Sequence, residues 1–285
     1  MSRVEIQHFF DRVTSTLTYV VHDTRAGVVI DPVLDYDPKS ARTSFRSAEA
    51  VAQYIAERNL AIPYVIDTHA HADHLTAMPF FKTRFGARTV TGSQVGEVQK
   101  IFRGIYNLGS GFPVDGRQFD LLLDEGQELQ VSSFRVRSMH TPGHTPAHMC
   151  WQIEDALFVG DTLFMPDYGT ARCDFPGGSA EQLFDSIQRI YALPRSTRLF
   201  MCHDYQPGGR EMRFATTVAE QKRSNVQLSE RTTKQEYLTF RKNRDAQLEM
   251  PALILPAIQI NIRAGEFPEP EANGTAYLKI PLNVF

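Results

Sequence analysis

Cysteine is scarce in this chain. Cys150, Cys173 and Cys202 are the three such residues among 285, too few and too scattered for a disulfide framework. A reducing cytoplasm fits that usage, and the opening Met1-Ser2-Arg3-Val4-Glu5-Ile6-Gln7-His8 has no apolar signal region. Long apolar runs are also lacking: none approaches the roughly 18 residues of a membrane-spanning helix. No sign of charge dominates. Lys plus Arg number 30 against 33 for Asp plus Glu, a balance of -3, which gives no argument for nucleic acid or an anionic membrane as partner. Internal repeats and low-complexity segments are absent. What is there is the composition of an ordinary globular protein, 42% hydrophobic and 22% charged, long enough to bury a sizeable core. The expectation is a single domain over 1–285, with 206–285 as a C-terminal helical and extended extension packed on it.

Taken in order, residues 15–21 and 27–30 are rich in β-branched and aromatic types and predict a hairpin around the polar segment 22–26. Asp31-Pro32 ends the second strand. Ser47 is expected to cap a helix reaching Asn59, with Val51, Tyr54 and Ile55 as its apolar stripe. A buried strand is expected over 62–67, a helix over 76–85, a strand over 88–91 and a second amphipathic helix over 93–106. Short strands follow at 121–123, 129–131, 134–139, 149–153 and 157–159, with turns at Glu125-Gly126 and Glu154-Asp155. A capped helix over 179–191 and a strand over 197–201 complete this part. Beyond Tyr205, residues 232–248 read as a charged helix, and 251–285 as a Pro-punctuated tail. The pattern by itself reads as layered α/β.

The 62–67 strand runs into Thr68-His69-Ala70-His71-Ala72-Asp73-His74, three imidazoles and a carboxylate within six residues. A polar cluster at the C-terminal end of a strand is where an α/β protein usually places its chemistry. Imidazole and carboxylate are ligands for zinc, iron and related metals. His69 and His71, two apart on an extended loop, can turn toward one point, and Asp73 and His74 toward a neighbouring one. Downstream stand Thr141-Pro142-Gly143-His144-Thr145, Gly160-Asp161-Thr162 and Cys202-His203-Asp204-Tyr205. These four motifs, in this order, resemble those of the metallo-β-lactamase superfamily. The resemblance implies an α/β fold of the αββα four-layer sandwich type, which agrees with strands arriving in two runs.

The resemblance also implies two ligand schemes. In binuclear hydrolases of the glyoxalase II type, His69, His71, His144 and Asp161 would hold one metal and Asp73, His74, Asp161 and His203 a second, with two zinc ions or a mixed iron–zinc pair. In the iron-dependent persulfide dioxygenases, His69, His144 and Asp161 alone would hold one Fe(II), while His71, Asp73, His74 and His203 orient waters and ligands around it. The segment Asp167-Tyr168-Gly169-Thr170-Ala171-Arg172-Cys173-Asp174-Phe175 looks like the dioxygenase branch. So do His203-Asp204-Tyr205 and the tail 253–265. The activity implied is oxidation of glutathione persulfide, or a similar low-molecular-weight persulfide, by O2 and water to sulfite and glutathione. The alternatives are a hydroxyacylglutathione hydrolase and a non-catalytic metal-binding sensor. Arg172 and Tyr205 are the expected substrate-handling residues. Arg241 and Arg244, one helical turn apart, are candidate cations for the substrate carboxylates or, equally, part of a solvated helix. His8 and His22 read as surface or packing residues, and His140 and His148 as packing residues with a supporting role open. Cys173 and Cys202 lie beside site candidates. A homodimer is the expected assembly.

Overall fold

A computed structural model describes residues 4–284. Two six-stranded sheets carry the architecture. The first is built from β1 (Glu5–Asp11), β2 (Thr16–His22), β3 (Ala26–Ile30), β6 (Ala61–Ile66), β8 (Arg88–Gly92) and β9 (Leu121–Leu123), in that spatial order. Its β1-β2-β3 part is antiparallel, and β3, β6, β8 and β9 run parallel. The second is built from β10 (Glu128–Val131), β11 (Phe134–His140), β12 (Met149–Ile153), β13 (Ala156–Phe158), β14 (Arg198–Phe200) and β15 (Ala215–Thr217). A small third sheet joins β4 (Val33–Asp37), β5 (Arg42–Ser44) and β7 (Leu75–Thr76).

Alternation along β2 shows why the layers stack. Tyr19 and Val21 join the core that contains Trp151, Phe158 and Phe200 of the second sheet. Val20, between them, faces the other way, into a cluster with α1 (Arg46–Glu57) and α2 (Met78–Phe85), through Val51, Ile55 and Phe81. A strand buried on both faces needs a covering layer on each side. On the second sheet α4 (Ala180–Tyr191) supplies Leu183, Ile187 and Ile190. Helix, sheet, sheet, helix is the order the sequence motifs imply.

Several element ends differ from the sequence reading. Ser47 does not cap α1. The N-cap position is Phe45 with no side-chain hydrogen bond, and the Ser47 amide and hydroxyl instead donate to Asp35 at 2.8 Å each, so a β4 carboxylate does the capping. Residues 76–77 are not helical: Thr76 belongs to β7 and α2 starts at Met78. Helix α3 (Val95–Ile105) and the Ser179 cap of α4 lie where expected. The charged helix is α6 (Lys234–Asp245), closed by a Thr233–Glu236 capping box. The tail holds an unanticipated helix, α7 (Ile254–Asn261), after a short α5 (Val218–Ser224). Helix α7 packs Ile254 and Ile258 against Val98 and Phe102 of α3 and against Ala70 and Ala72 of the His-rich loop. No helix among the described residues is long and apolar enough to cross a membrane.

Candidate metal centre

Each site residue sits where a strand stops. The loop 67–74 leaves β6, with the Asp67 amide bonded to Val90 O of β8. His144 follows β11, Asp161 follows β13 and His203 follows β14, so both sheets deliver ligands to one end of the sandwich. The loops approach closely because of glycine. Gly143 has φ +145°, and a Cβ there would stand 2.4 Å from Leu183 backbone atoms. Gly160, φ +50°, leaves room for the His148 ring, whose Nε2 would lie 2.4 Å from a Cβ.

Two ligand groups result. His69, His144 and Asp161 each offer one atom within 4.8 Å of the others. The Asp161 Oδ2 lies 3.8 Å from His69 Nε2 and 3.5 Å from His144 Nε2. His71, Asp73, His74 and His203 form the second group, with His203 Nε2 3.0 Å from Asp73 Oδ2 and 3.3 Å from Asp161 Oδ1. Asp161 thus presents one oxygen to each group. His71 belongs to the second group and also borders the first, its ring 4.0 Å from that of His74 and 4.1 Å from that of His69. Its Nε2 contacts Asp31 Oδ1 at 3.0 Å, which turns the ring so that Nδ1 faces inward.

The fit to a metal can be tested on protons. Thr68 Oγ1 donates to Asp31 and so accepts from His69 Nδ1 at 3.0 Å. His144 Nδ1 donates to Arg172 O at 2.9 Å. Thr16 Oγ1 lies 3.4 Å and 3.3 Å from the Nδ1 atoms of His74 and His203. With these nitrogens engaged outside, the lone pairs of the opposite ring nitrogens point into the site. His69 Nε2, His71 Nδ1, His74 Nε2 and Asp161 Oδ1 are buried without a hydrogen bond, and Asp73 Oδ2 and His203 Nε2 are buried facing each other across 3.0 Å. Buried polar atoms without partners are strongly disfavoured. These six converging atoms are accounted for by a cation, and N and O donors of this kind suit Zn or Fe.

Burial lowers the His69 pKa well below its ordinary value, reinforced by the charge of His71. Burial would lower His71 too, but the Asp31 carboxylate overrides it and raises the ring to about 9. His203 is raised to about 10, against burial, by Asp73 and Asp161. Burial, opposed by His71 and reinforced by Asp31, pushes Asp67 up to about 8.

Sequence reasoning passed over three supporting residues, Asp31, Thr16 and Asn261. Asp31 was read only as a strand end, yet it accepts from the Thr68 amide at 2.7 Å and from His71. Thr16 was absorbed into a strand. His148, for which a supporting role was open, takes one: the Asp161 amide donates to its Nε2 at 3.0 Å, and its Nδ1 lies 2.9 Å from Thr141 Oγ1. Asn261 lay in the tail, where a polar residue flanked by Ile260 and Ile262 was the available signal. Cys202 is buried within ligand reach of Asp31 and His71. His22 packs against Tyr54, and His8 stacks on Phe214.

A cleft of about 660 Å³ opens onto Asp73, His144 and Asp161, walled by Phe164, Tyr168, Phe175 and Tyr205 and by segment 248–253. Three arginines line it, in different states. Arg172 is not a free cation. Its guanidinium makes two 2.6 Å bonds to Asp174 and a third to Glu249 O, because the Asp two residues on turns back to it. Arg241 is 2% exposed and bonded to Asp245, Thr170 O and Gln227, so it is neither a solvated residue nor an available one. Arg244 is exposed and makes no side-chain hydrogen bond or ion pair among the described residues. Tyr205 is 40% exposed, with its ring stacked on His203 at 5.6 Å and close to Tyr168 at 4.7 Å. Burial and the nearby Asp73 and Asp161 raise its phenol pKa well above the ordinary value.

The model of the metallo-beta-lactamase superfamily matches residues 11–203. A Burkholderia pseudomallei protein named "Probable metallo-hydrolase" is 49% identical over 98% of this chain and 99% of its own. Glyoxylase B2 of Dictyostelium discoideum is 44% identical over 99% of this chain and 97% of its own. The human mitochondrial persulfide dioxygenase ETHE1 is 29% identical over 91% of this chain and 88% of its own. The crystal structure of ETHE1 from Myxococcus xanthus superposes with a TM-score of 0.74 at 30% identity, covering 92% of this chain and 100% of that one. Sheets stacked as they are here, and a family match running through the His-rich loop as far as His203, make this chain a member of the metallo-β-lactamase superfamily, an enzyme superfamily whose proteins bind metal ions.

Proposed function

We propose that this protein is an iron(II)-dependent persulfide dioxygenase that oxidises glutathione persulfide, or a similar small persulfide, with O2 and water to sulfite and the free thiol. The observation that carries the reading is the convergence of His69, His144 and Asp161, whose ligand atoms lie within 4.8 Å of one another. Two imidazoles and one carboxylate are the donor set of the two-His-one-carboxylate iron sites. Iron held there would offer open positions for O2 and for the persulfide sulfur. The likeness to human persulfide dioxygenase ETHE1 and to the Myxococcus xanthus ETHE1 structure supports the same reading.

The chain's own residues would do the rest. Phe164, Tyr168 and Phe175 present apolar walls that keep bulk water from the reacting sulfur. Arg244, the unengaged cation of the cleft, would take a carboxylate of the thiol carrier, and the Tyr205 phenol would donate a hydrogen bond to its far side. Arg172 would act through its carbonyl, fixing the His144 ring. Asp73, His74 and His203 would hold and orient water beside the iron.

A second reading has its own observation. His71, Asp73, His74 and His203 also converge within ligand distance, and Asp161 presents an oxygen to both groups. That arrangement suits a binuclear thioesterase, and the names of the Burkholderia and Dictyostelium relatives lean that way. Metal analysis of the purified protein, with oxygen uptake on glutathione persulfide and hydrolysis of S-lactoylglutathione measured side by side, separates the two. About one iron per chain with oxygen uptake is the expected result. Two tightly held metals with thioester hydrolysis and no oxygen uptake would overturn it.

A further inference from the structure

The family match ends at residue 203, but one contact to the His-rich loop comes from far beyond it. Asn261, the last residue of α7, is 1% exposed. Its Oδ1 accepts from the Thr76 amide at 2.9 Å, and its Nδ2 donates to His71 O and His74 O at 2.8 Å each. The amide orientation is fixed by these partners, since a flipped side chain would face an amide with an amide and carbonyls with a carbonyl. All three Asn261 contacts are to backbone atoms of the loop and of Thr76, leaving the imidazole donor atoms untouched.

The geometry matters because the loop is short. His71 and His74 both contribute to the second donor group, with Asp73 between them. Their ring directions follow from where their carbonyls point, and both carbonyls are bonded to one NH2 group. Helix α7 is itself held on two sides. The Gln99 side chain of α3 donates to Ile262 O at 2.9 Å, and Gly265, φ +88°, lets the chain after α7 pass Pro79 where a Cβ would stand 2.5 Å from its Cδ. The clamp is therefore rigid relative to α3 and to the start of α2.

We infer that Asn261 is a positioning residue of the metal centre: through the carbonyls of His71 and His74 it sets the direction of the donor atoms of His71, Asp73 and His74. The inference holds for iron or zinc and for either reaction, since it concerns the loop rather than the chemistry performed there.

The test uses the full-length protein stripped of metal and titrated with Co(II), whose visible absorption reports ligand geometry. Asn261→Leu removes all three bonds at similar volume. Asn261→Asp keeps the acceptor for the Thr76 amide but removes both donors. Both variants are expected to bind Co(II) ten- to a hundredfold more weakly, the usual effect of losing a group that orients a metal ligand, with shifted absorption bands and unchanged circular dichroism. Wild-type affinity and spectrum in both variants would overturn the inference, whatever happens to the melting temperature. So would full recovery in Asn261→Asp, which would reduce Asn261 to a tie for Thr76 of β7. Should either variant fail to fold, amide exchange on the wild-type protein decides. Metal loading is expected to slow exchange in 254–261 and at Thr76, and no change there would count against the clamp.

Discussion

Asp161 is the carboxylate both donor groups share, one oxygen to each. Asp161→Ala is expected to leave the purified protein without stoichiometric metal while circular dichroism stays native; metal analysis that still finds a full complement would remove Asp161 from the centre. The arginines make a sharper pair. Arg244 is exposed, so its hold on a substrate carboxylate is worth about 0.5–1 kcal/mol, and Arg244→Ala should raise KM for glutathione persulfide roughly two- to fivefold at ~1.4 kcal/mol per decade, with stability unchanged. Arg241→Ala leaves the Asp245 carboxylate buried without its partner, which costs about 3–5 kcal/mol. It should show as a lowered melting temperature, not as a KM effect. If the two variants exchanged phenotypes, Arg244 would lose its substrate role. At this scale the sequence is legible where chemistry restricts the residue type. Few side-chain types ligate metals, imidazole and carboxylate among them, so their crowding exposed the site. Arg172 was harder, because a cation near a site is visible in sequence while the Asp174 and Glu249 atoms that engage it become visible only once the chain has turned. His71 shows the same limit: its motif names it as a ligand, but the Asp31 carboxylate that orients its ring stands forty residues earlier.

The turn between β2 and β3 is an element held by one carboxylate. Asp23 accepts from the amides of Arg25 and Ala26, and from both the amide and hydroxyl of Ser133, which lies between β10 and β11 of the other sheet. Burial would raise its pKa, but those hydrogen bonds outweigh it and hold it well below the ordinary value. A carboxyl depressed in the folded state adds stability above its unfolded pKa, about 3.9, and loses it as pH falls toward the folded value. Asp23→Ala should therefore cost about 1.5–3 kcal/mol at pH 7, and the gap from wild type in urea unfolding should narrow below pH 3. A gap that is constant with pH would mean the carboxylate charge contributes nothing. Elements themselves were readable when periodicity was long, as in α3, α4 and α6. The start of α1 was misplaced because its cap comes from Asp35 on another element and not from the local Ser47. Strands β4, β5 and β7 are too short to show a period, and α7 is apolar nearly all round, buried between α3 and the loop, so no amphipathic stripe marks it.

For the molecule as a whole, the centre is a stabilising device when filled. A metal at about a thousand times its dissociation constant adds about 4 kcal/mol, so removal by chelation should lower the melting temperature by on the order of 10 °C. The effect has a pH sign. Without metal, His71 and His203 hold protons up to about 9 and about 10, against an ordinary value near 6.5. Their stabilisation of the metal-free fold is complete below the unfolded pKa and fades as pH rises through those values. A metal must displace those protons, so the difference in melting temperature between loaded and stripped protein should widen from pH 6 to pH 9. A difference that narrows instead would contradict the protonation of these two rings.

Thr16 at one end of the chain and Asn261 near the other both touch the His69–His74 loop. The order in which the chain is made therefore bears on when the centre can exist. The loop and its first-sheet partners leave the ribosome early, His144, Asp161 and His203 much later, and the side chain that fixes the loop last of all. Synthesis at roughly 5–20 residues per second puts on the order of ten seconds or more between the first imidazoles and Asn261. During that interval the carbonyls of His71 and His74 lack their Asn261 partner. If Asn261 positions the loop as inferred, the loop takes its final geometry only when α7 has formed and closed on it.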